Sequence, residues 1–297
     1  MNFLAELVTI AKTKCVKRLV VACAEDSAVL KAVQNASKEG FITPILIGNK
    51  QKINDLCNSL GINLANVEII DEPEPALTAY KAVALINAGK ADILMKGLLS
   101  TAMLLKAVIT KDNGLRKAQI LSHFALFESK FYHKIFGISD AAMNIAPTFE
   151  EKIHILNNAV DVMHRLGVST PKVAILSPVE TISEKIESTV HASMITVMSK
   201  RNQIKGCIVD GPLSLDTIIS TEAAKHKGIV SEVAGEADII IVPELDCGNS
   251  LYKSLIFMGG AMSAAVVAGA KVPIVLTSRA DSEHNKFLSI AFAAALE

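Results

Sequence analysis

Short β-branched runs alternate along this chain with longer segments of helical period. The runs Arg18–Ala24, Pro44–Gly48, Val67–Asp71, Ile93–Met95, Gln119–Ser122, Ile135–Ile138, Lys172–Ser177, Gly206–Asp210, Asp238–Val242 and Val272–Thr277 predict strands. Between them Ala28–Gly40, Pro75–Ala88, Phe149–Gly167 and Glu184–Arg201 place apolar residues at helical spacing. Regular β-α alternation predicts an α/β fold with mostly parallel sheets and helices on both faces. Leu19-Val20-Val21, Ile239-Ile240-Ile241-Val242 and Ile274-Val275-Leu276 are apolar on both strand faces, as buried parallel strands are. The weakly polar stretch Phe257–Ala270 is too short to span a membrane and predicts a buried helix or helix pair. The opening MNFLAELVTIAKTK, with Glu6 inside its apolar run, predicts an amphipathic helix rather than a signal peptide.

These elements are too many for one comfortable sheet, so two α/β domains are expected. Ser122–Ala146 interrupts the alternation with Phe124, Phe127, Phe131, Tyr132 and Phe136, and the first domain boundary is placed there. No repeat or low-complexity linker is apparent.

Composition narrows the function. The chain has 297 residues, 51% hydrophobic and 20% charged, enough for one large core or two ordinary ones. Thirty basic residues balance thirty acidic ones, and aromatics are only 4% with no tryptophan. A nucleic-acid binder normally has a basic excess or stacking aromatics, so that class is disfavoured. Small anionic ligands remain open, since local charge and backbone amides hold them. Cys15, Cys23, Cys57, Cys207 and Cys247 form no CxxC pair. A reducing cytosol is expected, without a disulfide framework or zinc knuckle.

In open α/β sheets ligands bind beyond the carboxyl ends of the strands. No GxGxxG, GxxxxGK[ST], GxSxG or HExxH motif is present there. Lys96-Gly97-Leu98-Leu99-Ser100-Thr101 follows a strand. Its glycine permits close approach, and Ser100 and Thr101 can cap the next helix beside an anion; an ordinary capped turn explains it equally well. Asp210-Gly211-Pro212-Leu213-Ser214-Leu215-Asp216 reads more simply as turn chemistry after a strand. Glu244, Asp246, Gly248, Asn249 and Lys253 concentrate at one strand-to-helix junction, which leans towards a site. Ser122 and His123 follow another strand. Of five arginines, Arg279, after Ser278, stands at the end of a buried strand and suits bidentate phosphate binding.

Taken together, Lys96-Gly97…Ser100-Thr101, Met143-Asn144-Ile145-Ala146-Pro147, Asp210-Gly211-Pro212-Leu213…Asp216, Pro243-x-Leu-Asp-x-Gly-Asn249, Tyr252-Lys253, Gly259-Gly260 and Ser278-Arg279 resemble the phosphate acetyltransferase and phosphate butyryltransferase family. The likeness runs in order along most of the chain, and Ser278-Arg279-Ala280-Asp281-Ser282 looks more like the butyryl branch. It implies a fold like that of isocitrate and isopropylmalate dehydrogenases, usually dimeric. Residues 1–124 plus 277–297 would form one domain and 125–276 an inserted, dimerising one, with a cleft between. It implies acyl transfer between coenzyme A and phosphate in a ternary complex, with no cofactor or metal beyond the substrate coenzyme A; composition and hydropathy add the expectation of no nucleic-acid or membrane partner. Arg279 would clamp phosphate and Ser278 would donate to the reacting oxygens. The acid that the acetyl branch carries six residues past this arginine is Asn285 here, so Asp281 and Glu283 are the alternative bases. Competing readings are a phosphate acetyltransferase, a metal- and NAD-dependent β-decarboxylating dehydrogenase using Asp210, Asp216, Glu244 and Asp246, and a non-catalytic coenzyme A-binding protein.

Overall fold

A computed structural model describes residues 3–63, 67–278 and 280–296. The chain divides into two compact units: Leu4–Lys117 joined by Ser263–Glu297, here the flanking unit, and the intervening Ala118–Met262, the central unit. The exchange points therefore fall at 117/118 and 262/263, where the sequence places them at 124/125 and 276/277.

The flanking unit opens with α1 (Glu6–Thr13), β1 (Lys17–Ala22), α2 (Ser27–Lys38), β2 (Ile42–Gly48), α3 (Lys50–Leu60), β3 (Glu68–Asp71), α4 (Pro75–Asn87), β4 (Ile93–Lys96) and α5 (Thr101–Val108). Its strands run β3-β2-β1-β4, all parallel. Leu19, Val20, Val21, Ile93, Leu94 and Met95 are fully buried, as strands covered on both faces require. Short polar side chains start the helices. Asp26, Asn49 and Ser100 each accept from a first-turn amide, and Pro75 occupies the first turn of α4, where its missing N–H costs nothing. Arg18 Nε donates to Asp92 Oδ2 at 2.8 Å, tying the start of β1 to the start of β4.

The central unit holds β5 (Ser122–Glu128), β6 (Phe136–Ser139), α6 (Phe149–Arg165), β7 (Lys172–Leu176), α7 (Glu187–Lys200), β8 (Ile208–Leu213), α8 (Leu215–Ile219), α9 (Thr221–His226), β9 (Ile239–Ile241) and α10 (Leu245–Lys253). The order is β5-β6-β9-β7-β8. β6, β9, β7 and β8 are parallel, while β5 is antiparallel to β6. The sequence expected a strand at Gln119–Ser122, whereas the strand begins at Ser122 and buries Phe124 and Phe127 on its two opposite faces. Phe127 stacks on Phe136 across the pair, centroids 5.7 Å apart. The strand expected to end at Asp210 continues through Gly211 and Pro212 to Leu213, so the step expected as a turn lies inside β8. The register of β7 against β8 shifts between Ala174 and Leu176, and that irregularity carries the Gly-Pro step within the ladder.

The chain then returns through β10 (Met262–Ala268), β11 (Ile274–Val275) and α11 (Glu283–Leu296). β11 lies parallel to β4 and antiparallel to β10. The segment expected as a buried helix pair is thus largely a strand. Its Ala-Ala-Val-Val-Ala run is apolar on every face, and such a run shows no period to separate helix from strand. These backbone pairings draw residues 263–276 into the flanking unit. α11 packs on α1 and α2 and is buried along nearly its whole length.

Two outcomes follow. An added Cβ at Gly137 on β6 would meet the Phe124 ring at 2.1 Å. Gly137→Ala should lower unfolding free energy by about 1–3 kcal/mol in urea titrations. Asp92 is held below the ordinary carboxylate range, chiefly by hydrogen bonding from Arg18. Its stabilisation is present above the unfolded pKa of about 3.9 and fades as pH falls through the lower folded value. Asp92→Asn should lower the melting temperature at pH 7 and flatten its acid decline below pH ~4.

Candidate active site

In the flanking unit the carboxyl ends of β1, β2, β4 and β11 share one edge. β4 ends on Lys96, which is 6% exposed. Its Nζ donates to the carbonyls of Gly97 and Leu99 at 3.2 and 3.3 Å, placing a fixed positive charge under the turn. Gly97 and Leu98 donate to the carbonyls of Ala22 and Cys23 at 2.8 and 2.6 Å. A Cβ at Gly97 would lie 2.0 Å from the Cys23 carbonyl oxygen, so only glycine fits. Ser100 caps α5, accepting from Met103 N at 3.2 Å, and Thr101 opens that helix. The sequence reading of this turn as close-packed and capped matches the geometry.

On the neighbouring strand end, the Ser278 amide donates to Asp281 Oδ2 at 2.6 Å. Ser278 Oγ accepts from Ala280 N at 3.3 Å. Lys286, 2% exposed on α11, donates to the carbonyls of Ser278 and Asp281 at 3.1 and 2.6 Å. This buried lysine went unread in the sequence, because only the folded helix turns it back onto the loop. Arg279 lies outside the described residues. Glu283 is held elsewhere: its Oε1 accepts from Asn35 Nδ2 at 2.9 Å, and Lys31 is 3.9 Å from its other oxygen. Asn285 Oδ1 accepts from the Ser263 amide at 3.4 Å.

At the end of β1, Cys23 has φ +58° and is buried. Burial, reinforced by the Glu25 carboxylate, pushes its thiol up to about 12, so it is no nucleophile at neutral pH.

In the central unit the antiparallel sense of β5 brings its first residues to the carboxyl edge of β6 and β9. Ser122 and His123 therefore reach the expected edge, although they begin a strand rather than follow one. Ser122 is fully buried and its Oγ accepts from Asn158 Nδ2 at 3.0 Å. His123, 3% exposed, packs edge-on against Tyr252. Opposite them, Asp140 is 2% exposed. Its carboxylate accepts from the amides of Ala142, Met143 and Asn144 at 2.9, 3.0 and 3.3 Å, folding the loop that leads to α6.

The junction after β9 is a capped helix start. Glu244 accepts from the amides of Asp246 and Cys247 at 2.7 and 2.8 Å. Gly248 packs where a Cβ would meet the Asp140 carbonyl at 2.6 Å, and Asn249 Nδ2 donates to the Ala141 carbonyl at 3.1 Å. Asp246 and Lys253 are exposed on the same helix. Asp210 and Gly211 are half-buried within β8, and the Gly211 amide donates to the Asp210 carboxylate at 3.0 Å.

Two charged groups in this unit were not read from the sequence. Lys152, 4% exposed in the first turn of α6, sits 3.0 Å from His191 Nδ1 on α7. Burial lowers both pKa values, with Glu187 opposing in each case and Glu244 also opposing at Lys152. Lys227 on the α9 C-cap lies 3.0 Å from both Glu180 and Asp216, and 2.9 Å from Ser214 Oγ. Hydrogen bonds from Ser214 and Lys227 drive Asp216 down to about 2. Lys152 lies 39 residues from His191, and Lys227 lies 11 from Asp216 and 47 from Glu180, so local pattern carried no signal for either cluster. With Asp216 paired, Glu244 capping and Asp246 exposed, the four carboxylates of the dehydrogenase reading do not converge. No group of three or more His, Cys, Asp or Glu suited to a cation forms among the described residues. Nor is any helix among them long and apolar enough to cross a membrane.

Two α/β units with glycine-lined, capped turns at their strand ends give the chain a dehydrogenase-like architecture. A putative 4-hydroxythreonine-4-phosphate dehydrogenase from Salmonella typhimurium shares that fold, with TM-score 0.61 and 13% identity over 96% of this chain and 100% of that one. More specifically, the model of the phosphate acetyl/butaryl transferase family matches residues 2–76 and 72–294, and the chain belongs to that family. It is 44% identical over 289 residues to phosphate butyryltransferase of Clostridium acetobutylicum, covering 97% of this chain and 96% of the relative. It is 42% identical over 292 residues to phosphate acetyltransferase of Thermotoga maritima, covering 98% and 99%. The crystal structure of a branched-chain phosphotransacylase from Enterococcus faecalis V583 superimposes with TM-score 0.85 and 36% identity, over 95% of this chain and 99% of that one.

Lys286→Met should strip two carbonyls of their buried donor and cost about 2 kcal/mol in chemical denaturation. Because the loop it releases carries Ser278, catalytic rate should fall further than stability alone explains, measured at a temperature where the variant remains folded.

Proposed function

We propose that this enzyme reversibly transfers a short acyl group, butyryl in preference, between coenzyme A and inorganic phosphate. The observation that carries the reading is likeness at over 40% identity, along nearly the whole chain, to enzymes named for moving an acyl group to phosphate.

In the forward direction a phosphate oxygen attacks the thioester carbonyl, the C–S bond breaks, and the thiolate leaves to be protonated. Holding two anionic reactants in contact is largely a problem of lost translational freedom. Arg279 supplies the bidentate clamp on phosphate, a role drawn from the family resemblance. Ser278 Oγ already accepts from the Ala280 amide, so its own proton is left to donate to the carbonyl oxygen as charge develops. The buried Lys96 ammonium adds a positive field at the adjoining strand end. In reverse, the thiol of coenzyme A, with a pKa of about 8.5, needs a base. We give that task to Asp281, which borders Ser278, rather than to Glu283, which Asn35 and Lys31 engage on α2. As the C–S bond forms, the acyl C–O bond to phosphate breaks, and the thiol proton passes to the Asp281 carboxylate.

The acetyl reading stays close, since one methylene in an apolar pocket discriminates by only about 1–3 kcal/mol. Thiol release from butyryl-CoA and acetyl-CoA, each with and without phosphate, decides between them. Fast release that requires phosphate and is quicker with butyryl-CoA is expected. Release independent of phosphate, or none while coenzyme A still binds, would overturn the activity. Arg279→Ala should reduce phosphate-dependent turnover at least a hundredfold, the order expected for losing a transition-state donor, with little change in melting temperature.

A further inference from the structure

The central unit holds two bases in direct contact that the proposed chemistry does not use. Lys152 lies in the first turn of α6 and is 4% exposed. Its Nζ sits 3.0 Å from Nδ1 of His191, which is half-buried on the second turn of α7. Phe149, at the start of α6, packs on the same imidazole with ring centroids 5.5 Å apart. Both helices begin at the carboxyl edge of the central sheet, α6 after β6 and α7 after β7, so the contact ties two helix starts together across that edge.

Two bases at this distance hold one proton comfortably and not two. The amine is much the stronger, with an ordinary pKa of 10.5 against 6.5 for the imidazole, so the shared proton belongs to Lys152. The ammonium then donates to an imidazole lone pair, which keeps His191 neutral with its hydrogen on Nε2. The other charged groups acting on the pair are carboxylates: Glu187, one turn before His191 on α7, and Glu244 at the start of α10. Glu244 already accepts from two amides of its own helix. Burial outweighs both carboxylates and lowers the pKa of the lysine and of the histidine. Protonating His191 would set two cations side by side in a part-buried place and remove the acceptor that Lys152 uses.

We infer that Lys152 and His191 form an acid-released latch between α6 and α7, closed while the imidazole is neutral and opened when it takes a proton. The helix caps decide which side gives. α6 keeps its start through the capping box of Thr148 and Glu151, whose reciprocal hydrogen bonds measure 2.8 and 3.2 Å. α7 starts after Ile186, whose side chain has no acceptor to offer the first amides. Apart from the latch, its start is held by Thr189, whose Oγ1 accepts from the Ser183 amide at 3.0 Å and donates to the Ile186 carbonyl at 2.7 Å. Opening therefore loosens the start of α7 and the loop 177–186 before it, which carries Glu180 to Lys227. Because the fold requires the neutral ring, the latch stabilises fully above the unfolded imidazole value of 6.5 and is lost as pH falls through the lower folded value.

NMR titration of carbon-13-labelled histidine in the full chain tests the latch, and the signal missing from His191→Asn identifies the ring among seven histidines. In wild type His191 should titrate below 6.5, and Lys152→Met should move its midpoint up. Asparagine places an oxygen where Nδ1 stood, so His191→Asn keeps an acceptor for Lys152 that cannot be protonated. Between about pH 7.5 and about pH 5.5 the wild-type melting temperature should fall about 2–4 °C further than that of His191→Asn. Protection from amide exchange in the first two turns of α7 should drop at least several-fold at the acid end in wild type and hold in His191→Asn. A wild-type His191 midpoint at or above 6.5, or an acid decline equal in wild type and His191→Asn, would overturn the latch. If Lys152→Met does not fold, the wild-type titration and His191→Asn decide. If His191→Asn does not fold, His191→Phe, which keeps an aromatic ring against Phe149, identifies the signal and the wild-type midpoint decides.

Discussion

The approach of Gly97 to the carbonyls of Ala22 and Cys23 is the constraint on which the flanking unit's working edge depends. It brings the turn after β4 directly onto the end of β1, closer than any side chain would permit. From that contact follow the position of the Lys96 ammonium beneath the turn, the Ser100 cap of α5, and the opening beside Leu98. The left-handed conformation of Cys23 belongs to the same arrangement, since its carbonyl must turn towards the Leu98 amide. Strain of this kind persists where surrounding structure over-determines it, and here two backbone hydrogen bonds do so.

The next strand end is built on a different principle. The Ser278 turn has a carboxylate on its amide and a buried ammonium on two of its carbonyls, so its polar groups are satisfied by charged partners. Hydrogen bonds to ionised groups are about twice as strong as neutral ones, which gives a short loop a fixed shape. In the role proposed for it, Ser278 gains from that fixity, because no reorganisation is then needed as charge develops. The last helix thus does more than fill space between α1 and α2. It carries Lys286 to the loop and Ser289 to the β10 backbone, where its Oγ accepts from the Ala265 amide at 3.0 Å.

In the central unit, charge is held mostly by networks of side chains. Asp140 shapes one loop through backbone amides, Lys227 gathers Glu180, Asp216 and Ser214, and Lys152 meets His191 in a part-buried contact. Burial of a lone ammonium is costly, and for Lys152 the imidazole acceptor with Glu187 and Glu244 nearby offsets it. Several positions picked out by sequence here, among them Ser122, Gly248 and Asn249, serve packing and backbone satisfaction within the unit.

The sequence by itself determined the α/β class, the parallel strand cores, the capped turn at Lys96–Thr101 and the family. All of these rest on local signals: apolar runs of strand length, caps within three residues, and motifs in fixed order. It misread the segments whose hydrophobicity has no period, so that Met262–Ala268 was taken for helix, and it took Asp210-Gly211 for a turn because local turn propensity outranks an unseen strand partner. Only the tertiary structure decided that β5 runs antiparallel to β6 and so brings Ser122 and His123 to the carboxyl edge of β6 and β9 from the opposite direction. Only it decided that Lys286 reaches back to Ser278 and that Lys152 faces His191. The physical reason is common to these cases. Each depends on groups brought together across strands and helices by burial, and burial is a property of the packed chain that no local pattern encodes.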